Sequence, residues 1–154
     1  ERDSQHYPPP LGALFPDTGN FIGFVGNVES GPLVQRVLDS FRKHEKFPSE
    51  GTSLPGAVTG VGWSDHWSFW EFGYQGVMVT DTAPFRYPHY HRTTDTPDKL
   101  DYDRMSRVVT GIEEVLSDLT DDLSTAPVKK SDSSKAGEKI KMNGLLRRRK
   151  SESQ

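Results

Sequence analysis

The feature that most constrains this chain is the apolar stripe near its C-terminal end. Met105, Val108, Val109, Ile112, Val115, Leu116 and Leu119 recur at helical spacing after Asp101, a favourable N-cap. The pattern predicts a long helix with one broad apolar face, and that face must be covered. A shorter stripe, Leu33, Val34, Val37, Leu38 and Phe41, follows Ser30 and Pro32, residue types favoured at a helix cap and first turn. It predicts a helix running to about His44. Against these faces only two runs read as buried strands, residues 21–27 (FIGFVGN) and 76–80 (GVMVT). The second is apolar on both faces and is expected to lie parallel to its neighbours. The order predicts an α/β layered domain. Two strands are too few to cover such helices, so part of the sheet is expected to lie outside this chain.

The remaining segments read as connections. Residues 1–16 are polar and then proline-rich, which predicts an extended surface segment. Asp17, Thr18, Gly19 and Asn20 mark a turn. Residues 47–62 are rich in Gly, Pro, Ser and Thr and predict a long loop, with at most a short strand at 57–59. Ser64 is expected to cap a short helix through Phe72, closed by Gly73 in the left-handed region.

Charge divides the chain after Leu123. Residues 1–123 hold ten Lys and Arg against nineteen Asp and Glu, and residues 124–154 hold nine against three. Apolar spacing stops at the same point, so 124–154 is predicted to be a disordered basic tail. It could touch nucleic acid or an anionic membrane surface, but a solubilising tail with no specific nucleic-acid partner is the better reading. This split accounts for a hydrophobic content of 32% and a mean hydropathy of -0.69, both low for a domain. The absence of cysteine excludes a disulfide framework and thiolate metal sites. No apolar run approaches the roughly 18 residues of a membrane span, and no signal-peptide pattern opens the chain. Because the first residue is Glu1, the chain is expected to be a processed product or a piece of a longer protein. Any export signal would then lie upstream. Compartment and oligomeric state are not specified by the sequence.

Residues capable of chemistry concentrate between Gly62 and Tyr102, with His66, His89, His91 and all 3 tryptophans. Apolar runs alternate there with polar ones (SDH, TDT, HYHRTTDT), the usual layout of a site built on loops at element ends. His91 is the foremost candidate metal ligand, since neutral imidazole suits zinc and Thr93, Thr94 and Asp95 could hold its second nitrogen. A single loop histidine is, by spacing alone, more often structural. His89 shares its direction if the segment is extended, although H-x-H pairs are a loose signal. Ser64, Asp65 and His66 are the residue types of a hydrolase triad, but consecutive side chains splay apart and no G-x-S-x-G surrounds Ser64. A helix cap with a buried polar pair is the better reading. H-E-x-x-H, phosphate-binding and dinucleotide motifs are absent.

Taken in order, SDHWSFWEFGYQGVMVTDT and RYPHYHRTTDTPDKLDYDRM resemble the C-terminal part of the co-catalytic zinc aminopeptidases, metallopeptidase family 28. SQHYPPPLGALFPDTGNFIGFVGN resembles the text upstream, so the likeness covers residues 4–123. It implies part of an α/β/α sandwich around a mixed central sheet, with the N-terminal half absent. It further implies two zinc ions held by His, a bridging Asp, Glu, Asp and a final His, with a separate Glu as general base. Only the final His falls here, at His91 with its Asp95-Thr96 pair. Ser64, Asp65, His66, Tyr90 and Asp95 take supporting or pocket positions, and His89 matches no ligand. Arg92 departs from the family's usual small Thr. The implied function is hydrolysis of a peptide substrate by metal-activated water, with this chain inactive by itself. Alternatives are a non-catalytic binding module of the same fold and a glutaminyl-cyclase-like acyl transferase. The spacing from His91 to Asp95-Thr96 favours the peptidase.

Overall fold

The computed structural model describes residues 3–7 and 11–125. The chain divides into a compact unit, Glu1–Leu123, and a second unit, Ser124–Gln154, of which only residues 124 and 125 are described, as the end of a helix. The predicted basic tail from 126 onward and the prolines at 8–10 therefore lie outside the described residues. The elements are β1 (Ile22–Gly26), α1 (Gly31–His44), β2 (Ser49–Ser53), α2 (His66–Glu71), β3 (Val77–Thr80) and α3 (Tyr102–Thr125). They form an α/β unit with a three-stranded mixed sheet in the order β2-β1-β3.

β1 is central because FIGFV is apolar on both faces. β2 pairs with it in parallel, from Ile22 opposite Ser49 to Gly26 opposite Ser53, and α1 supplies the crossover that parallel pairing requires. The strand expected at 57–59 is a turn, and the strand is SEGTS instead. No apolar alternation marks SEGTS, since what it contributes is backbone pairing and a place for α1 to rest. A Cβ on Gly51 would come within 2.8 Å of Leu38 Cδ2, so the bare backbone lets helix and strand meet. The Arg42 guanidinium then holds Ser49 through its carbonyl and through Oγ at 3.1 Å.

β3 corrects the expected direction. It runs antiparallel to β1, from Gly23 opposite Thr80 to Gly26 opposite Val77, and is only half-buried. Apolar composition reports which faces are dry, while direction depends on where the connection delivers the chain. Here Gly76 N–H donates to Ser30 Oγ (3.1 Å) and Gln75 Nε2 donates to the Glu29 carbonyl (2.9 Å). These bonds pin the start of β3 beside the C-terminal end of β1, so the strand must run back.

The core lies between one sheet face and the long helices. Phe24 and Phe41 are fully buried with ring centroids 5.1 Å apart, among Ile22, Val34, Val37, Leu38, Phe47 and Val115. Ser30 caps α1 by position, but its hydroxyl is committed elsewhere, donating to Asn27 Oδ1 and accepting from Gly76. Asp101 caps α3 as expected, its Oδ1 accepting from Arg104 N–H at 3.0 Å. The broad α3 stripe splits. Val115 is buried and Val108, Ile112 and Leu119 pack on the core, whereas Met105, Val109 and Leu116 are exposed. One neighbouring helix covers only part of so wide a face.

A polar seam joins α1 to α3. Asp118 Oδ2 accepts from Ser40 Oγ at 2.7 Å and lies 3.0 Å from His44 Nε2, with Lys43 Nζ at 3.3 Å and Glu114 beside His44 Nδ1 at 3.6 Å. The Ser40 and His44 hydrogen bonds and Lys43 pull the Asp118 carboxyl down from 3.8 to about 2. A depressed folded pKa stabilises above the unfolded value and is lost as pH falls through the folded one. The urea midpoint of the wild type should therefore exceed that of Asp118→Asn above pH 3.8, with the gap closing as pH falls toward 2. A gap independent of pH would assign the effect to packing alone.

Candidate functional site

The second face of the sheet, turned away from α1, is formed by Gly23 and Val25, by Glu50 and Thr52, and by Met78 and Thr80. Loops cover it incompletely and leave a cleft of about 280 Å3. Tyr7, Trp63, Phe85 and Tyr90 are among its walls, and Glu50 and Asp81 bring carboxylates to it. The N-terminal segment is thus less exposed than a surface strap. Gln5 is buried and accepts from the Thr82 hydroxyl (2.8 Å), and His6 N–H bonds the Phe85 carbonyl (2.9 Å). The Tyr7 hydroxyl is buried without a partner among the described residues, and burial, aided by Glu50, pushes it up to about 12.

The connection from β3 to α3 carries most of the candidate residues and two backbone strains. Thr82 (φ 59°) and His91 (φ 54°) both sit in the left-handed region, which L-residues occupy at about 1–3 kcal/mol. Such strain persists only where surroundings over-determine it. At Thr82 the supports are bonds from its N–H to Thr80 Oγ1 and from Ala83 N–H to Asp81 Oδ1. Around His91 they form a nested set. The Tyr87 hydroxyl donates to Asp95 Oδ1 at 2.9 Å, and His89 Nδ1 meets Thr94 Oγ1 at 2.9 Å inside that pair. Backbone bonds Arg92 N–H to His89 O and Asp95 N–H to Arg92 O close the turn. Desolvation, then the bond to Asp95, raises the Tyr87 phenol above its usual range.

His91 stands at the tip of this turn, exposed, with its ring stacked on Tyr90 at 3.9 Å. Among the described residues no hydrogen bond engages its ring nitrogens, in contrast to those of His44, His66 and His89. That openness fits a metal donor. One imidazole is short of the roughly three protein donors a catalytic zinc takes, and no group of three or more His, Cys, Asp or Glu among the described residues could hold an ion. Tyr90 lines the cleft as well as backing His91, so the two features adjoin.

The SDH segment is pulled apart. Ser64 lines the cleft, Asp65 is exposed, and His66 turns inward, its Nε2 2.7 Å from the Val61 carbonyl and its ring edge-on to Trp70. The expected buried polar pair of Asp65 with His66 does not form, because the helix start sends neighbouring side chains in different directions. The expected Ser64 cap is likewise replaced: Asp65 is the N-cap, and neither side chain makes a capping bond. Gly73 does take the left-handed conformation (φ 79°), with Gly73 N–H to Trp70 O and Tyr74 N–H to Phe69 O ending α2. Tyr87 and the aromatic cleft escaped the sequence reading. The signal available for Tyr87 was the symmetric placing of polar partners, 87 with 95 and 89 with 94, about the His91 tip.

The fold and site define an α/β unit whose chemically capable loop follows an edge strand. Residues of this chain are 36% identical over 110 residues to the protein described as "Uncharacterized protein YfbL" of Escherichia coli (strain K12), a match spanning 71% of this chain and 34% of that protein. The chain thus spans about a third of the length of the curated relative it matches. No family model and no solved structure matches it.

Proposed function

We propose that this chain is the C-terminal part of a zinc-dependent exopeptidase of aminopeptidase type, with His91 as the final ligand of a two-zinc site. The observation that carries the reading is His91 itself. It lies in the position the resemblance assigns to that ligand, on a turn tied by the Tyr87–Asp95 bond, with no hydrogen bond to its ring nitrogens among the described residues. The remaining donors and the general-base Glu would come from other parts of the complete protein. The chemistry supplied there, were zinc held, would be acidification of a water and polarisation of the scissile carbonyl. This chain's residues orient the His91 ring through Tyr90 and offer, beside it, an apolar cleft for the substrate's N-terminal side chain.

The test is peptide hydrolysis by the full-length gene product. Release of free N-terminal residues, abolished by a chelator and restored by zinc, is expected, with Phe and Leu substrates preferred over Gly and Asp. Cyclisation of N-terminal glutamine without hydrolysis would move the assignment to an acyl transferase. Neither activity in zinc-loaded protein would leave a binding module.

A further inference from the structure

His91 sits in the left-handed region (φ 54°), uncommon for non-glycine residues in general, and the residues around it are arranged as concentric ties. The outer tie joins Tyr87 Oη to Asp95 Oδ1 across the base of the turn at 2.9 Å, and the inner one joins His89 to Thr94. The Tyr87 ring packs edge-on against His89 at 5.4 Å, linking the two layers. We propose that Tyr87 is a positioning residue for the metal ligand, acting through Asp95 to hold the turn that presents His91. The proposal rests on the reading of His91 as a zinc ligand.

The physical case is one of preorganisation. A donor on a loose loop loses conformational freedom when it takes up a metal, and that loss weakens binding. A donor already held in place binds without it. Partners that orient metal ligands from outside the coordination shell typically change affinity about 10–100-fold. Tyr87 has no other polar engagement of its hydroxyl among the described residues, and its side chain contributes nothing to the buried core. A hydroxyl placed only across the base of the ligand turn is what positioning requires and what folding does not.

The experiment uses the full-length protein and zinc alone as the probe. Zinc affinity is measured by competition with a chromophoric chelator for the wild type, Tyr87→Phe, Asp95→Ala, the double variant and His91→Ala. Tyr87→Phe is expected to bind about tenfold more weakly, with the thermal midpoint of the metal-free protein unmoved. Asp95→Ala should weaken binding to a similar degree. The double variant should be no weaker than the weaker single, because the two side chains act as one tie. If His91→Ala loses zinc while Tyr87→Phe binds as the wild type does, or if the single losses add, the positioning role is wrong and the ligand assignment stands. If His91→Ala keeps its full zinc, the ligand assignment fails and the positioning role fails with it.

Discussion

On the proposed reading of His91 as a zinc ligand, His91→Ala in the full-length protein is expected to remove one zinc of the pair and most of the activity, a fall of about a hundredfold or more in kcat/KM. Loss of groups that merely orient a ligand already costs about 10–100-fold, so loss of the ligand should reach or exceed the upper end. Among the described residues, neither neighbouring ring is placed to substitute. Tyr90 is stacked on the ring, and His89 is turned to Thr94. His89→Ala should therefore cost far less. Asp95→Asn should fall between the two, since an amide oxygen can still accept from the Tyr87 hydroxyl but without the carboxylate charge. Metal content and kcat/KM on the three variants decide it. Zinc lost from His89→Ala and retained by His91→Ala would mean that the ligand had been assigned to the wrong histidine.

The second large effect is on stability. Phe41→Ala should destabilise the protein by about 3–5 kcal/mol, the usual range for emptying a fully buried phenylalanine site. Phe41 has no exposure, packs on the Phe24 ring at 5.1 Å, and fills the space opposite Gly111, where a Cβ would overlap its ring. α3 can cross α1 closely because Gly111 leaves that room, so the ring is what joins sheet, α1 and α3. Leu116→Ala, 59% exposed on the outer part of the same α3 stripe, should lie within about 0.5 kcal/mol of the wild type. Equal losses in urea unfolding for the two would show that the whole stripe is covered in the complete protein and that the split is not retained there.

Much of the architecture was legible. Apolar periodicity located β1, α1 and α3, the Asp101 cap was correctly read, and Gly73 closes α2 as its type demands. β2 was not legible, because Ser49, Glu50, Gly51, Thr52 and Ser53 carry no period-two signal. The antiparallel course of β3 was not legible either, since it follows from Ser30 and Glu29 capturing the chain just before the strand. At the candidate site, composition singled out the stretch between Gly62 and Tyr102 and, within it, His91. It could not separate the three histidines by what their rings touch.

By itself the sequence determined where apolar stripes fall and at what spacing, because that periodicity is a local property of helices and strands. It also placed the residue types capable of chemistry on the segments between Gly62 and Tyr102. Tertiary structure alone decided the direction of β3, the division of the α3 stripe and the inward turn of His66. It also decided the pairing of Tyr87 with Asp95 that frames His91. Those outcomes depend on contacts between residues distant in the chain or on directions taken at a turn, and no local pattern encodes either.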